Sequence, residues 1–181
     1  MSSVLTLLFA PTFLIFIQYF QFKSVALVYI FVALLFLIYA YIKKKKMEDF
    51  IIVSIYLLIL TIAYFNASLE TVKFIPVLSA MTFFAIFAHS ALKHNELIYK
   101  FTTRFYKKEI SDAEVLFLKA GDSFWAVAIF LYAMFLLALV YMANDMIWAF
   151  FSSLGWYIYF VLALLAQIVY GKFYAIKLYS K

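Results

Sequence analysis

The stretch VALVYIFVALLFLIYAYI, residues 25–42, decides the fold: eighteen residues without one Asp, Glu, Lys or Arg, followed at once by Lys43-Lys44-Lys45-Lys46. As an α-helix rising about 1.5 Å per residue it approaches the ~30 Å of a bilayer's hydrocarbon core. Its interior, Val32-Ala33-Leu34-Leu35-Phe36-Leu37-Ile38, does not alternate apolar with polar side chains, as a barrel strand must. Five further charge-free stretches accompany it, at residues 4–20, 50–65, 74–92, 124–143 and 147–170. The expectation is an all-α polytopic membrane protein with six transmembrane helices, one transmembrane domain over residues 1–181.

Composition agrees. Hydrophobic residues are 69% of the 181 and charged residues 13%, against roughly half and a quarter in soluble domains. A soluble fold of this size has no interior able to hide so much apolar side chain. Without cysteine, disulfide frameworks, thiol catalysis and cysteine metal sites are excluded. The first stretch lacks the basic start and small-residue cleavage site of a signal peptide, so it is read as a permanent helix, bent at Pro11.

The net charge of +6 reads as topology, not as nucleic-acid binding. With six spans, 13 of the 15 Lys and Arg fall on one side, and only Lys23 and Lys73 on the other. The positive-inside rule then places both termini in the cytoplasm.

The cytoplasmic loop 93–123 is the one sizeable segment outside the spans. Leu97, Ile98, Phe101 and Phe105 recur at helical spacing, with Lys100, Arg104 and Lys107 elsewhere on the wheel. That predicts an amphipathic helix in the headgroup region between the fourth and fifth spans. Ser111-Asp112-Ala113-Glu114 predicts a capping box, with Ile110 and Val115 as its hydrophobic staple, and a second short helix from Asp112. Gly121-Asp122-Ser123 is expected to break that helix and cap the fifth span. Pro76 is expected in the first turn of the fourth, where its missing N–H costs least.

Side chains suited to chemistry are sparse. Ion-coupled transport usually keeps ionisable groups within the bilayer, and the six stretches carry no Asp, Glu, Lys or Arg. His89 is the possible titrating residue, in the last turn of the fourth span. His94, five residues on, lies roughly 140° around a helix, so the two do not form a metal pair. Glu96, Glu109, Asp112, Glu114 and Asp122 lack the spacing of paired catalytic acids, and Glu70, Asp145, Lys23 and Lys73 are too few to define a site outside. The expectation is a protein without catalytic residues, metal or cofactor. Its contacts with lipid or partners would be Lys43, Lys44, Lys45 and Lys46 in one loop and Lys100, Arg104, Lys107 and Lys108 in the other. Small residues (Ser79, Ala80, Ala85 and Ala88 on the fourth span; Ser152, Ser153 and Gly155 on the sixth) mark close helix contacts.

Asn66, Glu70, Lys73-Phe74-Ile75-Pro76-Val77-Leu78, Leu97-Ile98, Trp125, Trp148 and Tyr159 occur in an order that resembles the small inner-membrane proteins of bacterial aryl-polyene (xanthomonadin-like) pigment clusters. That family often carries an acidic residue where Gln167 stands. In length, span layout, Trp125-Ala126-Val127 and the Trp148/Phe151 spacing, the chain is also similar to the intracellular septation protein A family. Both resemblances, over about residues 7–174, imply a bacterial inner membrane and neither brings catalytic residues. The first implies an accessory or scaffold role in envelope lipid synthesis, with soluble biosynthetic enzymes or acyl carriers as partners beside the bilayer. The second implies a septation or envelope-integrity scaffold with division proteins. A small-molecule transport subunit is a third reading, and the oligomeric state stays open.

Overall fold

In a computed structural model the chain is helical, with no strand among the described residues, which are 2–43, 47–105 and 111–172. The helices are α1 (Ser2–Tyr19), α2 (Phe22–Ile42), α3 (Met47–Asn66), α4 (Leu69–Lys93), α5 (Leu97–Phe105), α6 (Asp112–Lys119), α7 (Gly121–Met142), α8 (Asp145–Phe150) and α9 (Trp156–Tyr170). A π-turn, Phe151–Gly155, joins the last two. Four helical stretches are long and apolar enough to cross a membrane: Phe22–Ile42, Leu69–Lys93, Asp112–Met142 and Asp145–Tyr170. The apolar stretches Phe9–Tyr19 and Phe50–Asn66 are shorter. These are the helices of a multi-pass membrane protein.

Several boundaries differ from the sequence expectation. α4 begins at Leu69, so Pro76 lies in its third turn, not its first. The charged residues Glu70 and Lys73 had seemed to exclude that first turn from the span, but they neutralise each other within it. Pro76 has no N–H to give Val72, whose carbonyl therefore loses its usual helical partner. α1 runs through Pro11 as one helix. Gly121 does not open a loop, because only Ala120 separates α6 from α7.

The chain forms two compact units. The first comprises Met1–Ser79 and Ala133–Trp156. Here α2 packs along α3, while α1 packs against α8 and the π-turn. Its core is aromatic: Phe9 meets Tyr29 and Tyr56 edge-on at 5.4 and 5.1 Å, and Phe13 meets Tyr29 at 5.2 Å. Edge-on rings exploit the ring quadrupole beyond simple area burial. Thr12 shares a hydrogen bond with the Tyr29 hydroxyl, so that phenol stays satisfied inside the cluster. Ser152, Ser153 and Gly155 of the π-turn are buried, as small residues must be where backbones approach closely. Ser153 Oγ donates to the Ala149 carbonyl at 2.6 Å, recovering an acceptor where the helical register changes.

The second unit comprises Ala80–Tyr132 and Tyr157–Lys181. Trp125, Ala128 and Ala163 form its core, with Phe87, Ile98, Phe124 and Tyr159 packed against it. Tyr159 stacks on Tyr132 at 4.6 Å and donates its hydroxyl to the Ala128 carbonyl at 2.7 Å. This unit holds α5 and α6.

Candidate functional site

α4 ends in a left-handed turn made without glycine. His94 has φ 53°, and the Asn95 amide reaches back to the Ser90 carbonyl at 3.0 Å, closing the helix in the Schellman manner. Glu96, at φ 57°, is a second residue in the left-handed region. Two such residues in three cost of order 1–2 kcal/mol each, and the turn persists because the helix it launches is held elsewhere.

That hold is Asp122. In the first turn of α7 and only 1% exposed, it accepts the α5 amides of Leu97 and Ile98 at 2.9 Å each, together with the Ser90 hydroxyl. A buried carboxylate is costly unless hydrogen-bonded, and here it lies at the positive N-terminal ends of two helices, its own and α5. One side chain therefore binds the end of α4, the start of α5 and the start of α7. The sequence expected it in a cap before the fifth span, whereas Asp122 lies within α7, in its first turn. The amides its carboxylate satisfies belong to α5, 24 and 25 residues earlier in the chain.

Three further contacts secure the segment. Lys119 bonds Glu96 at 3.1 Å and lies 5.5 Å over the Tyr99 ring, linking the end of α6 to the start of α5. Ser111 and Glu114 form the expected capping box at the start of α6; Ile110, its expected staple partner, lies outside the described residues. Close packing completes the hold: a Cβ on Gly121 would stand 2.9 Å from both Ile98 Cγ2 and Gln167 Nε2, and one on Gly171 2.5 Å from the Phe117 ring. As expected, α6 ends ahead of the glycine, at Lys119, but Gly121 itself opens α7 and not a loop. It lets α5 approach α7. Beside it the Trp125 indole N–H donates to Gln167 Oε1 at 2.8 Å, while the buried Gln167 Nε2 has no hydrogen-bond partner among the described residues.

A helix is present over the expected residues, α5. Ile98 packs toward Gly121, while Leu97, Lys100, Phe101 and Arg104 are exposed. Their spacing of three, four and seven residues sets them on one side of the helix. Apolar and basic residues therefore share the exposed face, where the sequence had set them apart; the Phe105 side chain lies outside the description. Lys43 is exposed. Lys44, Lys45, Lys46, Lys107 and Lys108 lie outside the described residues. His89 is exposed on α4, beside buried Ser90.

The first unit holds a second polar constellation that sequence reasoning set aside. Lys73, 3% exposed, bonds Glu70 and Asp145 at 2.8 Å each. Its carbonyl accepts the indole N–H of fully buried Trp148 at 3.3 Å. Asn144 caps α8 by accepting the Ile147 amide at 2.8 Å. The ammonium is thus shared by two half-exposed carboxylates and fastens the start of α4 to the start of α8.

Among the described residues no group of three or more His, Asp or Glu side chains is arranged to hold a metal ion. Both constellations are built to hold backbone elements in place. Comparison with protein-family models, curated proteins and solved structures finds no match to this chain.

Proposed function

We propose that this chain is a non-catalytic, six-helix accessory protein of a bacterial inner membrane, with both termini in the cytoplasm. Its role is to hold soluble enzymes or acyl carriers of envelope lipid synthesis, of the aryl-polyene kind, at the membrane surface. The charge asymmetry supports the orientation: 13 of 15 basic residues gather on one side of a six-span reading. α1, at 18 residues, and α3, at 20, supply the spans beyond the four longest stretches, near the lower end of what a bilayer requires. The order of Glu70, Lys73, Trp125, Trp148 and Tyr159 supports the family.

The observation that carries the docking role is the Asp122 clamp. A segment meant only to connect two membrane helices needs no buried carboxylate bonded to three donors. A segment that must present a surface in fixed orientation does, because preorganisation lowers the ordering cost of binding. The basic side chains Lys100, Arg104, Lys107 and Lys108 would steer and orient an acidic partner.

Two experiments test this. Replacing those four with Gln should abolish recovery of the soluble partner with the membrane protein while leaving insertion intact; unchanged recovery refutes docking. Deleting the protein in its source bacterium, with spectra and mass spectrometry of lipid extracts, should remove a coloured or unusual lipid and leave cell shape normal. Filamentous or fragile cells with unchanged lipids would favour the septation scaffold, and neither change the transport subunit.

A further inference from the structure

We propose that the exposed face of α5 binds anionic phospholipid. Lys100 and Arg104 would engage headgroup phosphates, with Leu97 and Phe101 set between the headgroups. This deepens the docking role, and rests on it for the placement of the segment at the cytoplasmic surface. Of the four basic side chains given there to partner docking, it assigns two to lipid and leaves Lys107 and Lys108 to the partner.

Three observations converge. The first is the composition of the face. Phe101 is 64% and Leu97 37% exposed, on the same side of the helix as the exposed cations Lys100 and Arg104. A water-facing surface does not favour two large apolar side chains in adjacent turns, and a protein interior does not favour two cations. The headgroup layer accepts both, since apolar groups enter the acyl boundary while basic ends stay among phosphates.

Position is the second. α5 starts four residues after the last residue of α4, and its first-turn amides bond to Asp122 in the first turn of α7. Both neighbours belong to stretches long and apolar enough to cross a membrane. The helix is therefore held at the level where membrane helices end, and Ile98, packed toward Gly121, fixes which way it is turned.

The third is charge. Three of the segment's acids are bonded elsewhere: Glu96 to Lys119, Glu114 to the Ser111 cap and Asp122 to the clamp, while Asp112 lies exposed in the first turn of α6. Neither Lys100 nor Arg104 has an ion-pair partner among the described residues, and the two cations stand one helical turn apart, a spacing that suits phosphate. Two basic residues near an anionic leaflet together shift the equilibrium about thirty-fold toward contact.

The chain has no cysteine, so one introduced as Phe101→Cys carries an environment-sensitive nitrobenzoxadiazole probe without background. The purified protein goes into nanodiscs of phosphatidylcholine alone or with added phosphatidylglycerol. Quenching is read with aqueous iodide and with nitroxide-labelled lipid. The anionic lipid should lower iodide quenching severalfold and raise nitroxide quenching. Lys100→Gln with Arg104→Gln should return both to the phosphatidylcholine level, and Lys107→Gln with Lys108→Gln should not. Equal quenching in the two bilayers, or indifference to Lys100→Gln/Arg104→Gln, overturns the proposal. So does a probe shielded from both quenchers, which would mean cover by protein. No soluble partner is in the disc, so the two readings fail separately. A lipid response with no partner recovered from cells sinks docking alone; partner recovery with no lipid response sinks this proposal alone.

Discussion

Replacing Asp122 by Ala should release α5 while the membrane helices stay folded. The carboxylate accepts the Leu97 and Ile98 amides at 2.9 Å each, and the Ser90 hydroxyl. Ser90 can turn its hydroxyl back to its own helix, so that loss adds little. Each part-buried amide loses a charge-assisted acceptor, at about 1.5 kcal/mol, giving about 3 kcal/mol in all. The loss falls on a helix of nine residues, below the ~12–15 that hold together alone in water. It should therefore appear as local opening. A change of about 3 kcal/mol is slightly over two factors of ten in an equilibrium constant. Amides in the later turns of α5 should then exchange about a hundredfold faster by hydrogen–deuterium exchange mass spectrometry in nanodiscs, with α7 unchanged. Asp122→Asn keeps one acceptor oxygen and should fall between wild type and Ala, which guards against misreading a global collapse. Protection of α5 within about threefold of wild type, in an intact Asp122→Ala protein, would refute the clamp.

Three other outcomes follow from the packing. At Lys73, removing both carboxylates (Glu70→Gln with Asp145→Asn) strands a buried ammonium and should cost about 3–5 kcal/mol, whereas Lys73→Met leaves two half-exposed carboxylates to water and should cost less than about 1 kcal/mol; thermal unfolding in detergent showing the reverse order would dismiss the account of this clasp. Gly171→Ala puts a methyl group 2.5 Å from the Phe117 ring and should cost about 1–3 kcal/mol by overpacking, so an unchanged melting temperature would contradict the packing of α6 against α9. Gln167→Met exchanges one unpaired buried donor for another and should be neutral within about 1 kcal/mol, while Trp125→Phe, which strands the whole Gln167 amide and trims the ring contact with Phe160 at 4.8 Å, should destabilise visibly more in the same assay.

The helical class was legible because it depends on long charge-free stretches: residues 25–42 lie inside α2, and all but the last residue of 124–143 inside α7. What charge counting missed was a helix that tolerates charge. Glu70 and Lys73 sit within α4 because they pair on one face, and no hydropathy window sees a pair. The π-turn was invisible for another reason: Ser152-Ser153-Leu154-Gly155 differs little in periodicity between α and π registers, and the choice follows from packing against α1. Gly121 misled because glycine serves two purposes. Its missing Cβ permits contact with Ile98 and Gln167, beside the break between α6 and α7 at Ala120.

The capping box at Ser111 and Glu114 could be read from sequence because both partners lie within one turn. The Asp122 cap could not, since 25 residues separate it from the Leu97 amide. One signal was present: the residue before α5 is Glu96, not a Ser, Thr, Asp or Asn able to cap the helix locally. A helix that lacks a local cap and is too short to persist alone requires an acceptor from elsewhere, and a carboxylate at the start of the next membrane helix answers that need. Among the described side chains of α5, Ile98 packs against the core while Leu97 and Phe101 are exposed, so the Asp122 bonds carry much of its orientation. Fastening the backbone to a buried charge fixes which way the exposed side chains Leu97, Lys100, Phe101 and Arg104 face.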